Sequence, residues 1–289
     1  MILVQDAPGF AEIKQGAIDW KAILVHVEPG AAASVRLAAA AALARKCDAL
    51  LIGVGAESVD PAIFAYEGGD AGELGVLREE IQADLKAAAD SFANLAGAVR
   101  KQWIALEERP AACLARLSRA ADVIIAGGEV ESAHDAYRVA DAAELALLSG
   151  RPVLVVPPHG GELKAHSIVV AWKDTREARR ALADALPLLV AAEEVMVIEV
   201  CADEAVADAE RHTQEVMRGL QRHGVRAGAR VVSARDDQVA EMLSAEARTL
   251  GADLIVSGCY GRSRLGEWLF GGVTRALLHA PDRFLLISH

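Results

Sequence analysis

Glycine is the residue type through which this chain has the means to do chemistry. Gly258, Gly261, Gly271 and Gly272 punctuate the segment GADLIVSGCYGRSRLGEWLFGGVTRALLHAPDRFLLIS. Residues 254–256 (Leu-Ile-Val) read as a buried parallel strand ending in Gly258, and glycines after a strand let backbone amides approach a ligand with no Cβ in the way. Gly271 and Gly272 precede Val273, Thr274, Ala276, Leu277 and Leu278, a short helical pattern, so free N–H groups and the helix dipole would point at the same anion. The chemistry implied is non-covalent capture of an anion, phosphate above all. The plain alternative is a loop with tight turns, which glycine clusters also mark. No GxxxxGK(S/T) occurs and no GxGxxG follows a strand, so the usual ATPase and dinucleotide fingerprints are absent.

Other candidate groups read more plainly. Arg262 and Arg264 lie in the same loop, where guanidinium forks suit phosphate oxygens, although surface arginines usually bind nothing specific. Trp268, Leu269 and Phe270 are costly to expose and are expected to pack under the loop or against a partner. None of the eight histidines is paired in sequence with a carboxylate at catalytic or metal spacing, and no serine has a GxSxG context. Cys47, Cys113, Cys201 and Cys259 lie far apart with no CxxC pair, which excludes a zinc-type spacing and fits reduced, mostly buried thiols. The expected catalytic and metal sets are therefore empty.

The elements that must position the loop follow from an internal repeat. AILVHVE (22–28) matches SIVVAWK (167–173) at a shift of 145, and RAADVIIAGG (119–128) matches LGADLIVSGC (250–259) at a shift of 131, as PVLVVPP (152–158) matches RFLLISH (283–289). The chain is two copies of one unit. The first carries 14 extra residues between its first and fourth strands, assigned to 58–75, a stretch rich in glycine and acidic residues. In the second copy strands over 167–172, 194–200, 226–232, 253–258 and 283–288 alternate with helices over 175–192, 205–223, 237–250 and 272–279. The helix from 175 has Asp174 or Thr175 as its N-cap. The first copy follows with strands near 21–27, 49–55, 102–107, 122–127 and 152–156 and helices over 31–46, 73–97 and 110–120. Strict alternation implies right-handed βαβ crossovers and a parallel sheet covered on both faces.

These readings give an α/β fold of two tandem doubly wound, Rossmann-like units, each a five-stranded parallel sheet flanked by helices. The expected boundaries are 1–158 and 159–289, with residues 1–19 an extension and Pro157, Pro158, Gly160 and Gly161 the linker. A length of 289 residues suits two cores. A net charge of −11 argues against nucleic acid as a partner, since such proteins need a basic surface to displace counterions. No run of about 18 apolar residues and no secretory leader is present, so a cytoplasmic protein with no membrane partner is expected.

Gly258, two residues, Gly261, nine residues, Gly271 resembles the GxxG, nine residues, G(S/T) signature of the universal stress protein family, and the five-stranded units over 20–289 resemble its fold in tandem. The sequence departs from that signature at Gly272, where the family usually has Ser or Thr, with Thr274 two residues on. The resemblance implies a stress-response protein whose C-terminal unit binds ATP or a related adenine nucleotide, with or without Mg²⁺, and acts by binding rather than by turnover. It implies phosphate contacts from Gly258, Gly261, Arg262, Gly271, Gly272, Val273 and Thr274. It places adenine between the ends of the first and second strands, here Trp172, Lys173, Asp174, Thr175 and Val200, with Lys173 where the family usually has Asp.

In the first copy Gly258 is matched by Gly127, but Gly261 by Val130, Gly271 by Ala140, Gly272 by Asp141 and Thr274 by Ala143. Asp141 would repel a phosphate there, by about 1 kcal/mol or more. One nucleotide site per chain is expected, in the C-terminal unit. The two units are expected to form an intramolecular pseudo-dimer, and a homodimer is open. The apolar fifth strands, 152–156 and 283–287, are candidate pairing edges. The rival readings are an interaction scaffold that binds no nucleotide and an adenylating enzyme, for which no catalytic constellation is found.

Overall fold

The computed structural model describes residues 18–59, 71–127, 135–259, 272–279 and 281–289. Strand β1 (Ala22–His26) leads to α1 (Ala31–Cys47), β2 (Leu50–Glu57), α2 (Ala71–Leu95), β3 (Lys101–Glu107), α3 (Pro110–Leu117), β4 (Val123–Ala126), α4 (Ala142–Ser149) and β5 (Val153–Val155). The second half runs β6 (Ser167–Ala171), α5 (Arg176–Ala191), β7 (Glu194–Cys201), α6 (Val206–Arg222), β8 (Ala227–Ser233), α7 (Val239–Thr249), β9 (Leu254–Gly258), α8 (Gly272–His279) and β10 (Phe284–Ser288).

The strands form one ten-stranded sheet in the order β3-β2-β1-β4-β5-β10-β9-β6-β7-β8. Within each half every pairing is parallel, as Leu24↔Ile52 and Ile23↔Val123 in the first and Val169↔Met196 and Val169↔Ile255 in the second. The two halves meet where β5 and β10 pair antiparallel, Leu286 opposite Leu154. The expected pairing edges thus satisfy each other within the chain.

Residues along each strand point alternately to opposite faces, and both faces are covered. Val123 and Ile125 enter a layer with Leu37 of α1, Phe92 of α2, Leu188 of α5 and Leu220 of α6. Ile124 enters the opposite layer with Leu114 of α3, Leu145 of α4, Leu243 of α7 and Leu278 of α8. Burial on both faces is why the central strands read as unbroken apolar runs.

The sequence reading departs from the structure in three places. It has no helix over Ala142–Ser149, whose start is set by Asp141, the side chain of which accepts the Glu144 N–H at 2.7 Å. Part of the surplus length of the first half lies in α2, with 25 residues against 17 in α6, rather than all in 58–75; residues 60–70 of that stretch are outside the described residues. At the end of the expected extension, Ile18 and Trp20 are buried in the first layer. In the expected linker, Gly160 and Gly161 both have positive φ (67° and 111°), and Lys46 of α1 donates to the Lys164 carbonyl at 2.7 Å just beyond.

Candidate functional site

Strand β6 lies between β7 and β9. The chain leaves β6 for α5 and β7 on one side, while β9 pairs on the other. A ligand crevice in an open parallel sheet forms at such a reversal, outside the carboxyl ends of the strands. The Trp172 N–H donates to Ile198 O at 2.8 Å and prolongs the pairing with β7 by one residue. The chain then turns through Lys173 and Asp174 to Thr175, the N-cap of α5, whose Oγ1 accepts the Ala178 N–H at 3.3 Å. Thr175 rather than Asp174 therefore caps the helix, and Asp174 pairs instead with Arg179.

Gly258 ends β9 against the first turn of α5. A Cβ there would stand 2.6 Å from Ala178 N and 2.7 Å from Glu177 C. The close approach of strand and helix by itself requires a glycine at this position. Gly272 differs: a Cβ there would meet no described residue within 4 Å.

Between these elements lies a cavity of about 1090 Å³. Its lining brings together Trp172, Lys173, Asp174 and Thr175 after β6, Val200 on β7, Gly258 on β9, and Gly272, Val273 and Thr274 at the start of α8. All are residues singled out from sequence. Gly261, Arg262 and Gly271, with Arg264, Trp268, Leu269 and Phe270, lie outside the described residues.

The lining also holds residues that sequence reasoning passed over. Arg176, Glu177 and Arg179 come from the first turns of α5, Asp236 and Asp237 from the turn after β8, Val239 and Leu243 from α7, and Ser257 from β9. The two aspartates were within reach of the topological rule applied to the first two strands, had it been carried to the third. Val239 and Leu243 supply apolar lining from one helix, four residues apart and so on one face.

Among the described lining residues three cationic side chains (Lys173, Arg176, Arg179) stand against four anionic ones (Asp174, Glu177, Asp236, Asp237). Several are already engaged. Arg176 Nε lies 3.4 Å from Glu177 Oε1 and its Nη2 lies 3.3 Å from the His289 ring, while Asp237 pairs with Arg235 at 2.9 Å. An anion here would be met mainly by the amides and dipole at the start of α8, since the net side-chain charge of the described lining does not favour it. The apolar share of the lining, Val200, Val239, Leu243 and Val273, suits a flat aromatic group. Two buried polar atoms, the indole Nε1 of Trp172 and Oε2 of Glu199, have no partner among the described residues. Burial pushes the Glu199 carboxyl up from its ordinary range, with His212 opposing.

Cys259 is fully buried, and burial, with the charge of Asp141 adding, drives its thiol far up, so it is an inert packing residue. Its carbonyl lies 2.9 Å from Nδ1 of His289. Asp141, expected to repel phosphate in the first half, is the N-cap of α4. No cluster of three or more metal-ligating side chains occurs among the described residues, and no described helix is long and apolar enough to cross a membrane.

Residues 164–287 match the model of the universal stress protein family. The crystal structure of a universal stress protein from Archaeoglobus fulgidus DSM 4304 is similar over 92% of this chain and 95% of its own, with a TM-score of 0.64 at 14% identity. A functionally unknown protein from Pseudomonas aeruginosa PAO1 is similar over 93% of this chain and 92% of its own, with a TM-score of 0.56 at 18% identity. A search of curated proteins finds no match. Residues 164–287 are thus similar to the universal stress protein family, and the chain over nearly its whole length shares the fold of the Archaeoglobus protein of that family.

Proposed function

We propose that the cavity beside β6 and β9 binds an adenine nucleotide, ATP or a close relative with or without Mg²⁺, and that the chain acts in a cytoplasmic stress response by binding rather than by catalysis. The observation that carries this reading is convergence. Residues picked from four separated sequence segments for base or phosphate contact line one cavity at the strand-order reversal, where the fold makes a ligand crevice. The residues fit such a ligand in part. Val200, Val239 and Val273 offer apolar contact for a base, the Trp172 indole supplies a donor with no partner among the described residues, and Gly272 has no described residue within 4 Å of where a Cβ would stand, which suits a phosphate at the first turn of α8. Lys173 gives a cation at the mouth in place of the family's usual carboxylate. Two units with boundaries at 1–158 and 159–289, only the second carrying a nucleotide site, complete the proposal.

Binding without turnover is favoured because phosphoryl transfer needs charge neutralisation along with positioning, and the acids of the described lining outnumber its cations. A non-nucleotide scaffold is the second reading, favoured by the packing role of Gly258. The test is displacement of a fluorescent N-methylanthraniloyl ATP excited through the protein's indoles. ATP and adenosine should both compete, ATP more strongly, and inorganic triphosphate weakly. Absence of any energy transfer to the probe at saturating concentration would favour the scaffold.

A further inference from the structure

The N-terminal half has its own strand-order reversal, between β1 and β4, and its crevice is filled by the chain itself. Arg36, in the second turn of α1, is 4% exposed. Its Nε donates to the His26 carbonyl at 3.1 Å, and its fork pairs with the Glu28 carboxylate. His26 Nδ1 lies 3.1 Å from the same Glu28 oxygen. A Cβ on Gly127, at the end of β4, would stand 3.0 Å from Arg36 Nη1. Gly127 and Gly258 match in the repeat, as do Glu28 and Lys173. The guanidinium therefore sits between the ends of the first and fourth strands, the place where the C-terminal half opens its cavity.

The pairing is strong. Burial alone would raise the Glu28 carboxyl, but Arg36 and His26 hold it at about 2. The phosphate side of the crevice is engaged in the same manner, because Asp141, at the position of Gly272, gives its own carboxylate to the start of α4. The segment before it is tied down by Arg138, which reaches Glu57 at the end of β2 at 2.9 Å and also pairs with Asp84 of α2.

We propose that Arg36 is a built-in occupant of the N-terminal crevice, a side-chain guanidinium held by Glu28 where the other half leaves room for a ligand. This half is then complete without a small molecule and serves as the fixed partner of the C-terminal half across the β5–β10 seam. That the chain takes one nucleotide rests on the reading of the C-terminal cavity given above; the occupancy by Arg36 does not, so the two can fail separately.

The test is chemical rescue of the full chain. Arg36→Ala leaves a space of the shape of ethylguanidinium facing Glu28. Millimolar ethylguanidinium should raise the melting temperature of this variant by several degrees and leave the parent, whose space is filled, unchanged. No response by a folded variant, or an equal response by both, overturns the proposal. Arg36→Met keeps the stem without the fork and secures the case in which the alanine variant does not fold. It should melt about 10 °C below the parent, since Glu28 is then buried without its cation, and show no rescue. A methionine variant as stable as its parent overturns the proposal by itself.

Discussion

Gly258→Ala separates packing from ligand contact at the residue on which both readings of the glycine loop converge. The added methyl would stand 2.6 Å from Ala178 N, 2.7 Å from Glu177 C and 3.1 Å from Ala178 Cα, against about 3.5–4.0 Å for ordinary carbon contacts. The shortfall is about 1 Å, and every neighbour is backbone in the first turn of a helix capped by Thr175, so no rotamer change relieves it. Overpacking of this kind costs about 1–3 kcal/mol, and a rigid backbone puts the cost near the top, about 3 kcal/mol. At about 2–4 °C per kcal/mol for a chain of this size, the melting temperature should fall by about 6–12 °C. The assay is thermal denaturation followed by far-UV circular dichroism, with Gly272→Ala in parallel. At Gly272 a Cβ meets no described residue within 4 Å, and alanine there should shift stability by less than about 1 kcal/mol, upward if at all. A Gly258→Ala protein that melts within 2 °C of its parent would refute the packing argument.

Thr175→Ala removes the oxygen that accepts the Ala178 N–H and should cost about 1 kcal/mol in urea unfolding. Asp141→Ala should cost a similar amount through loss of the bond to Glu144 N–H, whereas Asp141→Asn, which keeps an accepting oxygen, should stay near the parent. The folded pKa of Glu28 is depressed from 4.5 to about 2, so its contribution, about 3 kcal/mol, is fully present above pH ~4.5 and lost as pH falls toward 2. Stability measured from pH 6 to 2 should show that loss in the parent and not in Glu28→Gln. Of the four cysteines only Cys201 is not buried, so iodoacetamide followed by peptide mass spectrometry should mark Cys201 first, and early labelling of Cys259 would contradict its inert placement.

The architecture was legible because repetition, alternation and apolar runs all report the same sheet: the matched segments at 22–28 and 167–173 became β1 and β6, and the fifth strands became the seam. Less legible was anything set by where side chains meet across the repeat. Arg36 gave no signal on an alanine-rich helix, because the pairing with Glu28 and His26 exists only once α1 packs behind β1. Gly258 had the right spacing for a phosphate loop, yet spacing does not reveal that the first turn of α5 lies 2.6 Å from its missing side chain. Asp141, with Glu144 three residues on, carried a capping signature for α4 that its comparison with Gly272 obscured. At the site, residues at the start of α8 were found through the loop motif and those after β6 through the resemblance, while Asp236 and Asp237 arrive from the turn after the third strand and have no motif of their own.

The central claim is that the cavity of the C-terminal half is the chain's one nucleotide site. Its most direct test is calorimetric titration of ATP and Mg²⁺ into the ligand-free chain, repeated on Gly272→Val, which places a branched side chain at the first turn of α8, where no described residue lies within 4 Å of the added Cβ. Heat that fits one nucleotide per chain and disappears in a variant with an unchanged melting temperature is the predicted result. Two nucleotides per chain, or no heat from the parent, would contradict the account.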